Sequence, residues 1–359
     1  MDLHIINDFI YSCPAINNLT LTFDGQIDID RKPIGFCREA IQNIPALSLC
    51  KKPKEIMEDF FRMRRDVLSE GKIEINDTER VLTKACLKCI KYIPMQKPKD
   101  SIINCIKIST FPALCQCKCV YCTASGHDMT DTTRFHTETV MKSYEKVFDT
   151  IEYAQKNGMI ASNAVWHIVS GEITIHPYKN RIYDLVNNNT AWFFTNCFTF
   201  DKRIADNLTE NQNSCICFSI DAGTPETWKK VKGVNNFAQV IENLTRYRTA
   251  GCHSKQIALK YIVLPGTNDN LEDYSALTTI MKRLNIGILE ISRDYAHGKY
   301  ITYNSISEKS GQELINATAY LVAILLKSGL NMKLYYAFSP VEKDTIMSLA
   351  YNLIHLGKV

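Results

Sequence analysis

Across its 359 residues the chain has no apolar run approaching the ~20 residues that a bilayer-spanning helix needs; the most apolar stretch is Ala319–Leu326. No charge of one sign dominates either. Lys and Arg number 42 against 38 Asp and Glu, and the resulting net charge of +4 argues against a surface built for nucleic acid or membrane. There is no internal repeat and no low-complexity tract, which sets repeat architectures aside. Met1–Asp8 carries acids where a secretory signal peptide would open with basic residues, so a cytoplasmic protein is expected.

Cysteine, by contrast, is abundant, with 14 residues. In a small secreted domain such a count would mean disulfides. Here the chain is long enough to build its own core and shows no export signal, so reduced thiols are available to metal. Four of them, Cys105, Cys215, Cys217 and Cys252, lie in or beside apolar strand-like runs, where a free cysteine serves as a small buried hydrophobe.

Four more are packed into Leu114–Thr123, which reads L-C-Q-C-K-C-V-Y-C-T. Cys115, Cys119 and Cys122 form a C-x-x-x-C-x-x-C claw with Tyr121 just before the last. Thiolates are the soft ligands of iron–sulfur clusters, and three on one short loop reach three corners of a cubane, leaving its fourth iron open to a chelating small molecule. With Cys117 included, the four thiolates also compose a structural zinc site. Against that stands the C-x-C-x-C alternation, which puts thiolates on one side of an extended chain, too spread out to close round one ion.

From Ser101 onward, strand-like runs alternate with amphipathic stretches. Strands are expected at Ile102–Ile108, Ala164–Val169, Trp192–Thr195, Cys215–Ile220, Ala258–Leu264 and Ile286–Ile291. Helices are expected over Glu138–Asn157 and Ile182–Leu185, from Asp201, from Thr224-Pro225, and over Leu271–Leu284. This alternation builds a parallel sheet with right-handed crossovers, and six units give an α/β fold, a partial (β/α)6 TIM-like barrel with its chemistry at the C-terminal ends of the strands. The expected organisation is a cysteine-containing segment over 1–98, joined through Gln96-Lys97-Pro98-Lys99, the barrel over 99–300, and an α/β extension over 301–359. The extension has a helix at Ser310–Lys327, a strand at Met332–Ala337 and a helix near Lys343–His355.

The strand ends are rich in polar groups. Ser170-Gly171-Glu172-Ile173 and His176-Pro177 follow the second strand; a glycine lets main chain approach a ligand, and a carboxylate pairs with an ammonium. Thr195-Asn196-Cys197 follows the third, where a simple polar turn is an equal reading. Ser219-Ile220-Asp221 follows the fourth and runs on into Gly223-Thr224-Pro225-Glu226-Thr227-Trp228; hydroxyl and carboxylate side chains suit vicinal diols. Lys260, Tyr261, Asn268, Glu290, Ser292, Arg293, Asp294 and Tyr295 gather at the fifth and sixth, each equally well read as part of a solvated loop.

The claw, followed in order by these three motifs, resembles the radical S-adenosylmethionine (SAM) enzyme superfamily over Ile102–Asp294. The resemblance implies a 4Fe–4S cluster on Cys115, Cys119 and Cys122, whose open iron takes the amino and carboxylate groups of SAM. Reductive cleavage of SAM to a 5′-deoxyadenosyl radical and hydrogen abstraction from a substrate would follow. Ser170-Gly171-Glu172 is similar to the family's G-G-E-P, which holds the methionyl amino group, and departs from it at Ser170 and Ile173. Asn196 falls in a T-N-G-like turn with Cys197 in place of glycine. Ser219 and Asp221 fall in an S-x-D-x-x-x-P-E-T-Y-like stretch that reaches the ribose, and Tyr121 is placed among the cofactor-binding residues. The resemblance also implies a flavodoxin- or ferredoxin-type electron donor. It names no catalytic residue toward the substrate.

Cys13-Pro14 with Leu19–Gly25, then Cys37 and Cys86-x-x-Cys89, resemble auxiliary-cluster segments of some of these enzymes. A second 4Fe–4S cluster on Cys13, Cys37, Cys86 and Cys89 is therefore expected, with a zinc site or unligated cysteines as alternatives and Cys50 able to replace a distant member. No cysteine follows Cys252, so a C-terminal auxiliary domain of the SPASM or twitch type is not expected. The N-terminal segment lacks a winged-helix pattern, which favours a small-molecule or sugar substrate over a peptide. A peptide-modifying maturase and a non-catalytic, zinc-stabilised binding protein are the rival readings, and neither nucleic acid nor membrane is expected as a partner.

Overall fold

The computed structural model describes residues 9–12, 20–23, 34–35, 51–70, 73–75, 78–80, 93–96, 102–109, 114–122, 130–169, 171–250, 253–294, 308–335 and 338–359. Cys13, Cys37, Cys50, Cys86, Cys89, Ser170 and Cys252 lie outside these residues. The chain divides into two compact units. One comprises Met1–Leu114, Asp131–Gly171 and Asn189–Ala191; the other comprises Cys115–Thr130, Glu172–Asn188 and Trp192–Val359.

The first unit holds strands β1 (Phe9–Ser12), β2 (Thr20–Phe23), β3 (Ile34–Gly35), β4 (Ile73–Ile75), β5 (Thr78–Arg80), β6 (Ile93–Gln96), β7 (Ile103–Ser109) and β8 (Ile160–Val169). Its helices are α1 (Pro53–Glu70) and α2 (Glu138–Lys156). A sheet of order β3-β2-β7-β8 runs parallel except at β2–β3, while β1–β6 and β4–β5 are antiparallel pairs. In β7, Ile106 and Ile108 are buried on one face of the pleat, and Ile103 is buried at the strand's start. Helix α2 starts where the Thr137 hydroxyl accepts from the Val140 amide at 3.4 Å. It buries Val140, Tyr144, Val147, Phe148 and Ile151 at helical spacing and stops before Asn157-Gly158. Helix α1, which the sequence pattern did not single out, opens at Pro53 and buries Ile56, Met57 and Phe60.

The second unit holds β9 (Thr190–Phe194, from Trp192 on), β10 (Cys215–Ser219), β11 (Ile257–Val263), β12 (Ile288–Arg293) and β13 (Met332–Leu334), parallel neighbours in that order. Its helices are α3 (Lys179–Val186), α4 (Lys202–Glu210), α5 (Pro225–Lys232), α6 (Phe237–Thr249), α7 (Leu271–Arg283), α8 (Glu308–Lys327) and α9 (Pro340–His355). Helix starts follow capping chemistry. Asp201 accepts from the Arg203 amide at 2.9 Å, and Thr224 precedes Pro225 and accepts from the Thr227 amide at 3.2 Å. Ser339 and Glu342 form a reciprocal capping box on α9. Gly223, at the β10–α5 corner, packs against α7: a Cβ there would lie 2.0 Å from the Asp273 carbonyl oxygen.

Strand and helix alternate from β7 to β13, and in neither unit does the sheet close on itself. The fold is α/β and open, a partial barrel rather than a closed one. Within the second unit the strand ends deliver Thr195–Cys197 after β9, Asp221 after β10 and Asn268 after β11, all on the C-terminal side of the sheet. Among the described residues, no helix is long and apolar enough to cross a membrane.

Candidate active site

The claw belongs to the second unit and is fastened there by backbone bonds. The Lys118 amide donates to the Lys232 carbonyl at 2.8 Å, the Val120 amide to the Val231 carbonyl at 3.0 Å, and the Cys122 amide to the Cys119 carbonyl at 3.0 Å. Cys115, Cys119 and Cys122 are half-buried, whereas Cys117 is 3% exposed. The Cys117 thiol bonds to the sulfurs on either side, and those bonds together with burial raise its pKa. The same bond pulls Cys119 down to about 6 against burial, with the Lys232 ammonium helping, and it also lowers Cys115. Two sulfurs that part readily with protons, those of Cys115 and Cys119, flank one that keeps its own. Among the described residues, no three His, Cys, Asp or Glu side chains converge as a single-ion site requires.

Glu172 is fully buried and receives donors from two loops. Its Oε1 accepts from the Thr174 amide at 3.1 Å, the Thr174 hydroxyl at 2.8 Å and the Thr195 hydroxyl at 2.9 Å. Its Oε2 accepts from the Asn196 amide at 2.6 Å and lies 3.1 Å from the Thr195 hydroxyl. Burial raises the pKa of this carboxyl, and the donated bonds, from Asn196 foremost, work against that rise. Asn196 then turns to the claw: its Nδ2 donates to Cys115 Sγ at 3.4 Å and to Gln116 Oε1 at 3.0 Å. Its Oδ1 accepts from the Phe198 amide at 2.9 Å, and Asn243 holds the Cys197 and Phe198 carbonyls at 3.0 and 2.9 Å. Cys197 sits at φ +56°, the left-handed conformation for which the glycine of a T-N-G turn is suited, held here by a non-glycine residue.

The third cluster centres on Asp221, which is fully buried at φ +48°. Its Oδ1 accepts from the Ile262 amide at 2.6 Å; its Oδ2 accepts from the Tyr121 hydroxyl and is ion-paired with Lys232. Lys232 is itself buried, donates to the Tyr121 hydroxyl at 2.6 Å and lies 5.1 Å from the centre of the Tyr121 ring. Burial opposes the ammonium, but Asp221 and Cys119 outweigh it and hold its pKa above the ordinary value. Tyr121 is pushed well up by burial, with Asp221 adding to the rise. Asn268 spends its amide on the Asp221 and Ile262 carbonyls, each at 2.9 Å, and accepts from the Leu264 amide at 2.7 Å.

Seven of the residues singled out in the sequence therefore come together in one unit: Cys115, Cys119, Tyr121, Cys122, Glu172, Asn196 and Asp221. Ser219 closes β10 in register with Lys260, and Gly171, at φ +62°, ends a segment of the first unit. The sequence reading missed Thr174, whose amide and hydroxyl both bind Glu172, and Lys232. The signal for Lys232 was its position four residues after Trp228, on the face of α5 that also buries Thr227 and Val231.

A claw of three part-exposed sulfurs, a neighbouring amide donor and a buried cation fits a cluster of net negative charge. Residues 110–277 match the family model of the Radical SAM superfamily. No curated protein matches the chain. Among solved structures, SuiB of Streptococcus suis bound to the precursor peptide SuiA is 13% identical, with a TM-score of 0.47 over 82% of this chain and 56% of that one. Native anSMEcpe with bound AdoMet is 13% identical, with a TM-score of 0.47 over 65% of this chain and 64% of that one. A radical SAM methyltransferase from Sphaerobacter thermophilus is 12% identical, with a TM-score of 0.39 over 78% of this chain and 83% of that one. The chain spans less than two thirds of the length of SuiB. The family match begins just ahead of the claw and runs through the Glu172, Asn196 and Asp221 loops into α7, so the candidate site lies within the residues, 110–277, that match the Radical SAM superfamily model.

Proposed function

We propose that Cys115, Cys119 and Cys122 hold a 4Fe–4S cluster and that the residues round it bind SAM. When bound, cluster and SAM supply reductive cleavage of the sulfonium, and with it a carbon radical that takes hydrogen from a substrate. The observation that carries this reading is Asn196. Through its backbone amide on Glu172 and its side-chain amide on Cys115, it ties the loops after three successive strands to one another. Glu172 takes the methionyl ammonium, for which Oε2, with fewer donors than Oε1, keeps acceptor capacity. Ser219 faces the ribose. Asp221, whose two oxygens are already engaged by Ile262, Tyr121 and Lys232, acts on the cofactor by holding Tyr121 and Lys232 in place.

The substrate class we assign is a small molecule or sugar, supported by the absence of a winged-helix pattern in the N-terminal sequence, and the electron donor is of flavodoxin or ferredoxin type. A second cluster on Cys13, Cys37, Cys86 and Cys89 rests on their spacing. The test is anaerobic reconstitution followed by iron analysis and 5′-deoxyadenosine release under dithionite. Alanine at Cys115, Cys119 or Cys122 abolishes release, and Cys117→Ala retains it. About eight irons per chain supports two clusters and about four supports one, by cubane stoichiometry. Full activity in Cys119→Ala, or zinc in place of iron in the wild type, refutes the assignment.

A further inference from the structure

Lys232 lies against the claw by both its backbone and its side chain. Helix α5 ends there, and the last carbonyls of a helix have no partner within it. The Val231 and Lys232 carbonyls find theirs in the Val120 and Lys118 amides, so the helix end and the cysteine loop complete each other. Gly233 caps the helix at φ +72°, and a Cβ there would come within 2.9 Å of Lys118 Cβ and 3.0 Å of its carbonyl oxygen. Of the three lysines at this helix end, Lys229 and Lys230 are exposed and Lys232 is turned in. A buried ammonium is costly without a counter-charge. Asp221 supplies one, and the ammonium's other partner is the hydroxyl of Tyr121, two residues beyond Cys119 in the claw.

We propose that Val231-Lys232-Gly233 is the positioning element of the cysteine claw, and that the Lys232 ammonium is a fixed counter-charge to the metal-bound sulfur of Cys119. The proposal rests on the cluster reading above. A fixed cation beside one ligand favours the more negative, reduced cluster, so it raises the potential at which the electron is accepted. Tyr121 braces the cation by accepting its hydrogen bond and presenting its ring.

The test uses the full chain, reconstituted anaerobically. Iron per chain is measured chemically, and the midpoint potential of the SAM-responsive signal by redox titration followed by electron paramagnetic resonance. Lys232→Met moves the midpoint to more negative values, and Lys232→Arg restores it toward wild type. The double variant Asp221→Asn with Lys232→Met, which leaves no orphaned carboxylate, shifts it in the same direction by less. Gly233→Ala loses at least half of the claw's iron while retaining wild-type circular dichroism. Loss of iron from a folded Lys232→Met chain likewise supports the positioning role. A wild-type midpoint in the double variant, or full iron in Gly233→Ala, overturns the inference while leaving the cluster reading intact. Absence of iron from the wild type sinks both.

Discussion

Replacing Glu172 by alanine tests whether this carboxylate is as much a folding residue as a ligand. The side chain accepts from two backbone amides, those of Thr174 and Asn196, and from the hydroxyls of Thr174 and Thr195. Hydroxyls rotate to other acceptors; backbone amides do not. Each buried donor left without a partner costs about 1–3 kcal/mol, and relief of the buried charge offsets part of the sum, so the net loss is about 2–4 kcal/mol. Glu172→Gln keeps the volume and sets its carbonyl oxygen toward the three donors at Oε1. Its NH2 then faces the Asn196 amide, one donor against another, and the cost is about 1–2 kcal/mol. Urea unfolding of the metal-free protein reads this directly, as a midpoint about 1 M lower for Glu172→Ala and a smaller drop for Glu172→Gln. A wild-type midpoint in the alanine variant would refute the reasoning, because it would mean that the two loops meet without the carboxylate.

Other expectations follow from single contacts. Gly223→Ala places a Cβ 2.0 Å from the Asp273 carbonyl oxygen and 2.6 Å from the Leu277 amide nitrogen. Helix backbone cannot yield as a flexible side chain does, so thermal unfolding reports a loss of about 3 kcal/mol, and an unchanged Tm contradicts the close approach. Burial lowers the His176 pKa from 6.5 to about 3, while its Nδ1 accepts from the Tyr178 amide at 3.2 Å. The unfolded chain therefore binds the extra proton. The stability from this group is complete above pH 6.5 and declines as pH falls toward about 3, at up to ~1.4 kcal/mol per pH unit. In His176→Asn, whose Oδ1 can stand in for Nδ1, that part of the acid dependence disappears from urea midpoints measured between pH 6 and 4; a slope identical to wild type excludes the neutral buried imidazole.

Much of the strand–helix alternation from β7 onward was legible because its signals are local. Asp201, Thr224-Pro225 and Asn157-Gly158 mark helix ends by chemistry that acts within one turn, and the structure places ends at each of them. Helix α6 was missed although Val240, Ile241, Leu244 and Tyr247 carry its apolar spacing; its start at Asn236 makes no side-chain capping bond. Strand β8 starts at Ile160, before the apolar run that begins at Ala164: Ile160 pairs with Ile103 of β7, and the register then shifts before Val165 meets Cys105. The site is harder to read because its bonds span the chain. Lys232 stands in a lysine run that looks like a solvated helix face, and the partners that show otherwise, Tyr121 and Asp221, lie 111 and 11 residues away. Cys197 looks like a lost glycine until its φ shows that the turn has been kept and the residue changed.

The backbone bonds from Lys118 and Val120 to Lys232 and Val231 also set a timetable. Tyr121 leaves the ribosome 111 residues ahead of Lys232. At ~5–20 residues per second, that interval is on the order of ten seconds. Throughout it, the claw is a string of free thiols with neither its backbone template nor its cation. Metal loaded during synthesis would meet a loop of no fixed shape, while metal loaded after release would meet the finished socket. The order of events in the cell is thus written into which helix end the cysteines lean on.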